Sequence, residues 1–314
     1  MTARVAFVFP GQGSQSVGML GAFAHDPVVD QVLRRASAAL GEDIGRMIEE
    51  GPAERLELTV NTQPCVLAAS YALYAAWRAA GGLPPEVMAG HSLGEYTALV
   101  AAEAIALEDA VPLVRFRAQA MQEAVPVGVG AMAAILGLDD GQVVAACARA
   151  SGDQVVEAVN FNAPDQVVIA GHRAAVQRAC EEAKRLGAKR AVPLAVSVPF
   201  HSSLLASAAD RLRVRLAGVA MRSPSVPMIN NIEVAVESDP ARIRDALARQ
   251  AASPVRWTQI VQSMATRGIT HVVECGPGRV LSALTRRIAP TLQSLSISSP
   301  ATLSQALSSL VNDR

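Results

Sequence analysis

Val87-Met88-Ala89-Gly90-His91-Ser92-Leu93-Gly94-Glu95 sets an apolar run, a G-x-S-x-G elbow and the start of a helical pattern (96–106) in immediate succession. A serine on so sharp a strand-to-helix turn projects its hydroxyl to where a substrate carbonyl reaches it. The backbone N–H of the following residue points to the same spot, at the positive end of a helix. The stretch therefore predicts a strand–turn–helix unit of an α/β fold and covalent acyl chemistry at Ser92.

N-terminal to the elbow, residues 5–9 are a short apolar run ended by Pro10-Gly11, as in a buried parallel strand feeding a turn. Helical patterns follow at 26–40, 63–79 and, after the elbow, 107–124. Strands alternating with helices predict a parallel sheet. The texture changes at Pro126-Val127-Gly128-Val129-Gly130, after which the pattern reads strand 131–136, helix 140–150, strand 155–160, strand 166–170, helix 173–186 and strand 190–196. That is βαββαβ, the ferredoxin-like unit. The larger pattern resumes with helix 203–216, strand 226–230, helices 239–251 and 257–266, strand 271–274, helix 279–288, strand 292–296 and helix 301–310. The expected architecture is a large α/β-hydrolase-like domain with a parallel sheet (1–127 and 198–314), interrupted by a small ferredoxin-like subdomain (128–197), with a cleft between them.

The 314 residues are 51% hydrophobic and 18% charged, with a mean hydropathy of +0.26, ample for a large core. Net charge is zero at a pI near 7.0, so no global field draws the chain onto nucleic acid or an anionic membrane. Cys65, Cys147, Cys180 and Cys275 share no metal-binding spacing, which predicts neither zinc nor disulfides and a reduced, cytoplasmic setting. The start of the chain is too short in apolar residues for a signal peptide. The apolar run 65–80 is broken by Ser70 and Arg78 and reads as a buried helix, not a membrane span.

Serine attack on an acyl group needs a base. Among the five histidines, His91 adjoins Ser92 on an extended strand and should point to the opposite face. His25 and His172 lie by surface-type helical patterns, and His271 opens an apolar strand. His201, in Val198-Pro199-Phe200-His201-Ser202-Ser203, sits where a subdomain strand ends and a helix begins, facing the expected cleft. Arg117 is the second unusual residue. On a helical wheel it falls in the apolar arc of Leu113, Val114, Met121 and Ala124, whereas Arg115 shares the polar face with Glu108, Gln119 and Gln122. An inward arginine is costly unless an anion or acceptors meet it. It is either a structural ion pair or a clamp for a substrate carboxylate, which the guanidinium fork matches. The loop Gly11-Gln12-Gly13-Ser14-Gln15 lacks the third glycine of a dinucleotide fingerprint, Ser16 standing there. A tight loop bringing backbone N–H groups to a ligand is the alternative.

Several motifs now stand in order: 7–15 (FVFPGQGSQ), 90–96 (GHSLGEY), Arg115-Phe116-Arg117, 160–164 (NFNAP), 198–202 (VPFHS), Gln250 before Pro254-Val255-Arg256-Trp257, and 274–278 (ECGPG). In that order, along nearly the whole chain, they resemble the malonyl-CoA:acyl-carrier-protein transacylases of bacterial fatty-acid synthesis. The resemblance implies Ser92 as acyl nucleophile, His201 as its general base and the Gln250 region as the backbone carbonyl that orients His201. It implies the N–H groups of Gln12 and Leu93 as the oxyanion hole and Arg117 as the holder of the malonyl carboxylate. Asn160 and Asn162 are expected to border the cleft. Phe200 resembles the bulky form of malonyl-selective members and is expected to crowd the extra methyl of methylmalonyl. Met121, beside Arg117 on its arc, is assigned to the substrate pocket. No metal or other cofactor is implied. The expected partners are malonyl-CoA and an acidic acyl carrier protein, with the chain a monomer.

Three other readings compete. A serine hydrolase or thioesterase shares the elbow, yet has no evident use for an inward Arg117, and the H-G-G-G oxyanion motif is absent. A trans-acting malonyl transferase for polyketide synthesis has the same chemistry with another carrier. A silent scaffold usually loses nucleophile or base, and both are present. Basic pairs at Lys184-Arg185, Lys189-Arg190 and Arg286-Arg287 matter only to an acidic partner.

Overall fold

The computed structural model describes residues 3–196 and 198–312. The expected domain limits at 1, 197 and 314 lie outside the described residues. The described strands are β1 (Val5–Phe9), β2 (Val87–Gly90), β3 (Gly130–Leu136), β4 (Val156–Ala163), β5 (Gln166–His172), β6 (Arg190–Pro193), β7 (Met228–Ile229), β8 (His271–Cys275) and β9 (Gln293–Ile297).

Five of them form a parallel sheet in the order β7-β2-β1-β8-β9. Its central strand β1 is buried on both faces, which is why it reads as an unbroken apolar run. Val5, Phe7 and Phe9 face one core, where Phe7 meets Trp77 and Tyr74 with ring centroids 5.4 and 5.5 Å away. Ala6 and Val8 face a second core built on Trp257 and Ile260. Sealing both faces fixes the end of β2, and Ser92 with it, in the middle of the sheet's carboxyl edge.

The other four strands form an antiparallel sheet ordered β4-β5-β3-β6, the ferredoxin-like arrangement, with its own core around Ile135, Val143 and Ile169. The fold is thus a large α/β body with a parallel sheet and a small inserted subdomain. Val255 joins the two: its N–H donates to Val159 O at 2.9 Å, and its carbonyl accepts from Phe161 N at 3.0 Å.

Three local differences from the sequence reading bear on the site. The helix expected from 63 begins at Thr59 and carries Pro64 inside it. Side chains of its extra turn bond back to the short helix before it (Ala53–Leu56), Thr62 Oγ1 to Leu56 O and Asn61 Nδ2 to Arg55 O, and these bonds outweigh the usual place of proline at a helix start. The elbow helix spans Gly94–Ala101 and stops short of the expected 106. Glu103 takes a positive φ, and the carbonyls of Ala102 and Ala104 accept from Ser225 and Arg222 instead. The strand expected over 226–230 is only Met228–Ile229, since Pro227 has no N–H for the ladder.

Candidate active site

The elbow is shaped by two glycines. A Cβ on Gly90 would stand 1.8 Å from the Gly94 carbonyl carbon, and one on Gly94 would stand 2.0 Å from Phe9 O. Any side chain at either position would push β2, the turn and β1 apart. Ser92 takes φ +52°, the left-handed region that lifts its hydroxyl out of the turn. Asn231, fully buried at the end of β7, pins that conformation: Oδ1 accepts from Ser92 N at 2.7 Å, and Nδ2 donates to Gly90 O at 2.7 Å.

Ser92 Oγ lies 2.7 Å from His201 Nε2, and His201 Nδ1 lies 2.9 Å from the main-chain carbonyl of Gln250. A backbone acceptor at Nδ1 fixes the proton there and leaves Nε2 free to accept from the serine. Burial first, and the nearby Arg117 charge second, hold His201 down to about 3. The imidazole is neutral, the form a general base needs.

Arg117 is 2% exposed. Nη2 donates to Ser92 Oγ at 3.1 Å and to Gln250 Oε1 at 3.0 Å, and Nη1 donates to Gln63 Oε1 at 2.8 Å. The Tyr96 ring lies under the guanidinium, 5.4 Å from centroid to Cζ. Among the described residues Nε has no partner and no carboxylate lies within salt-bridge distance. The structural ion pair considered for Arg117 is therefore not what holds it. It is a buried cation met by neutral acceptors, with N–H donors to spare for an anion. Burial pushes its pKa down from the usual arginine range.

The Gly11–Gln15 loop reaches the elbow closely, since a Cβ on Gly11 would stand 2.7 Å from His91 O. Thr59 Oγ1 donates to Gln12 Oε1 at 2.7 Å, and Gln63 Nε2 donates to Thr59 Oγ1 at 3.2 Å, which links this loop to Arg117. Leu93 is the N-cap of the elbow helix, so its N–H sits at the helix's positive end. A cleft of about 490 Å³ opens over these groups, lined by Gln12, Ser92, Arg117, Asn160, Asn162 and Phe200 among others. Asn162 Oδ1 meets His91 Nε2 at 2.8 Å, so His91 belongs to the cleft wall and not to the serine's proton path. Met121 lies elsewhere: it is fully buried in the main core and outside the cleft lining. Its arc continues inward while Arg117, one turn earlier, meets the elbow.

Three partners escaped the sequence reading. Gln63 stood as a polar residue beside Pro64 in an apolar run. Asn231 stood in a polar pair after a short apolar stretch, where parallel strands carry their sites. Glu95, within the elbow motif itself, is buried, and its Oε2 accepts from Gln250 Nε2 at 2.8 Å and Asn231 N at 3.1 Å. Among the described residues no cluster of His, Cys, Asp or Glu is placed to hold a metal, and no helix is long and apolar enough to cross a membrane.

Residues 6–306 match the acyl transferase domain family. A malonyl CoA-acyl carrier protein transacylase from Salmonella typhimurium is 53% identical over 305 residues, covering 97% of this chain and 99% of the relative. The crystal structure of an acyl-carrier-protein S-malonyltransferase from Burkholderia pseudomallei superposes with a TM-score of 0.96 at 64% identity, over 97% of this chain and 99% of that one. A malonyl-transacylase solved in complex with its type II PKS acyl-carrier protein has a TM-score of 0.96 at 48% identity, over 98% of this chain and 100% of that one. The chain belongs to the malonyl CoA-acyl carrier protein transacylase family of acyl transferases.

Proposed function

We propose that this enzyme moves the malonyl group from malonyl-CoA to the pantetheine thiol of an acyl carrier protein, by way of a malonyl-serine at Ser92, to supply fatty-acid chain elongation. The observation that carries the reading is the convergence on Ser92 Oγ of a neutral histidine at 2.7 Å and a buried arginine cation at 3.1 Å. A hydrolase needs the first; only an acyl group ending in an anion needs the second.

In this mechanism His201 Nε2 takes the Ser92 proton as Oγ attacks the thioester carbonyl. The oxyanion is met by the N–H groups of Gln12 and Leu93, each worth ~3 kcal/mol in the transition state. The C–S bond breaks, and His201 returns the proton to the departing coenzyme A thiolate. The carrier's pantetheine thiol then repeats the attack on the malonyl-serine, with His201 as its base, which makes the cycle ping-pong. Arg117 holds the malonyl carboxylate. A neutral acyl chain leaves that cation unpaired in the cleft and is selected against. Asn160, Asn162 and Phe200 shape the acyl and pantetheine path, and Phe200 disfavours a branched acyl group. Nothing in these steps calls on a cofactor. We take the domain limits as 1–127 with 198–314 and 128–197, which the separate sheets and cores support. The four free thiols support a cytoplasmic setting.

Intact-mass measurement after separate addition of malonyl-, methylmalonyl- and acetyl-CoA, with and without carrier protein, tests the reading. A malonyl adduct that persists alone and clears on adding carrier is expected, with none on Ser92→Ala. A full adduct on Ser92→Ala, or rapid hydrolysis without carrier, would overturn it.

A further inference from the structure

Arg117 and Glu95 are two oppositely charged side chains buried in the same few ångströms of the molecule, yet they do not touch. One residue stands between them. The Gln250 side chain accepts from Arg117 Nη2 at its Oε1 (3.0 Å) and donates from its Nε2 to Glu95 Oε2 (2.8 Å) and to Ser92 O (3.0 Å). With two acceptors on its nitrogen side, the amide is locked with its oxygen toward the arginine. Its positive N–H end therefore faces the anion and its negative oxygen faces the cation. We infer that Glu95 is the resident counter-charge of Arg117, relayed through the Gln250 amide, and that a malonyl carboxylate arriving at Arg117 displaces it by driving a proton from solvent onto Glu95.

The charge count explains why displacement must follow. The resting site holds one buried cation and one buried anion. A malonyl group paired with Arg117 brings a second anion into the same low-dielectric volume, where like charges strongly disfavour joint ionisation. The malonyl carboxylate has the direct contact with Arg117 and Glu95 only the relayed one, so Glu95 is the group that takes the proton. Both hydrogen bonds found on Glu95 fall on Oε2, which leaves Oε1 to form the new O–H bond. A small cavity of about 10 Å³, lined by Glu95, Asn230 and Glu237 among others and not by Ser92, adjoins the carboxyl. The titratable groups around Glu95 are Arg117 on the Leu107–Ala124 helix, Tyr96 on its own helix, and Glu237 across that cavity. Glu237 is turned to Arg242, 2.7 Å away, and Tyr96 is held at about 12 by burial, so neither competes for the proton near neutrality. Burial, opposed by Gln250, Asn231 and Arg117, brings Glu95 itself to about 7, which puts both of its charge states within reach.

The inference rests on the malonyl-transfer reading, and its test separates the two. Intact mass reports the malonyl adduct, while an indicator dye in weak buffer at pH 7.5 reports protons taken up per adduct, with the release from a coenzyme A standard subtracted. The wild-type enzyme is expected to take up about half a proton per adduct and Glu95→Gln essentially none. By reciprocity the malonyl-CoA KM of the wild type should fall several-fold from pH 8.5 to 6, and that slope should vanish in Glu95→Gln at a low KM. A merely structural role would raise KM or lower kcat and leave the slope in place. Equal uptake or equal slopes in the two proteins overturn the inference while the adduct, and the reading, stand. Failure of the wild type to form an adduct overturns both. Should Glu95→Gln not fold, difference infrared spectra of wild-type acylation decide: a new protonated-carboxyl stretch supports the exchange, and its absence refutes it.

Discussion

His201 and Glu95 lie on either side of Gln250 and carry opposite pH signatures. His201 is depressed to about 3 from an ordinary 6.5, so the unfolded chain binds its proton first, and this residue's contribution to stability is lost as pH falls from 6.5 toward 3. Glu95 is raised from 4.5 to about 7, so the folded state binds the proton more tightly, and its contribution is lost as pH rises across that interval. Glu95→Gln keeps the acceptor for Gln250 and removes the charge. Relative to wild type, its unfolding free energy should therefore gain up to about 3 kcal/mol between pH 4.5 and 7.5, read from urea titrations at the two values. An unchanged gap would mean that Glu95 is not titrating there. The low basicity of His201 also has a catalytic consequence, because Arg117 is its second cause. In the proposed mechanism, a malonyl carboxylate paired directly with Arg117 makes the base stronger at the moment it is needed. Arg117→Ala should accordingly lower kcat/KM for malonyl-CoA by about a hundred-fold, through the lost charged hydrogen bonds, and raise the acetyl-to-malonyl ratio. The same ratio in variant and wild type would remove the clamp.

The elbow is the element on which the site depends, and it is held from outside itself. A non-glycine residue at φ +52° costs about 1–3 kcal/mol, and Asn231 offsets this with both ends of its amide. Asn231→Ala removes both bonds and leaves Ser92 N and Gly90 O unpaired. It is expected to destabilise the fold by about 2–4 kcal/mol and to lower kcat at least ten-fold with KM little changed. A stable, folded variant with normal kcat would show the elbow to be self-supporting. This contact explains what the sequence could and could not reveal. The elbow glycines, the helix at Leu107–Ala124 and its inward Arg117 were legible because each is a local pattern: fixed spacing, or a charge on an apolar arc. Asn231 meets Ser92 across 139 residues from the end of a two-residue strand, and no local pattern announces such a pairing. Thr59 and Gln63 were obscured for the opposite reason, since Pro64 gave a strong local signal for a helix start that the bonds to the preceding short helix overrule. Met121 followed the same arc as Arg117, but a wheel reports which face is inward, not whether that face meets core or cleft.

The cleft between the large body and the subdomain has two lips. One is the 194–196 segment that continues β6, and the other is the start of the Val280–Ile288 helix; both line the cleft over Ser92. Arg190 opens β6, with Lys189 just before it, and Arg286-Arg287 stand in the last turn of the Val280–Ile288 helix, so an acidic carrier spanning the lips would meet these charges beyond them. The four charges are not equivalent. Arg287 is already committed, forming an ion pair with Asp165 in the β4–β5 turn and a hydrogen bond to Gln166 at the start of β5, and thereby ties the large body to the subdomain. Reversing it would disturb the cleft as well as the docking field. Arg190 and Arg286 are both exposed, and among the described residues neither forms an ion pair. The double variant Arg190→Glu/Arg286→Glu should therefore lower kcat/KM for the carrier protein about ten-fold at low salt, with the deficit shrinking as ionic strength rises. Malonyl adduct formation from malonyl-CoA should proceed at the wild-type rate, because coenzyme A does not need both lips. Equal losses in the two half-reactions would mean that these charges serve the cleft itself, and the carrier's landing site would have to be sought on another face.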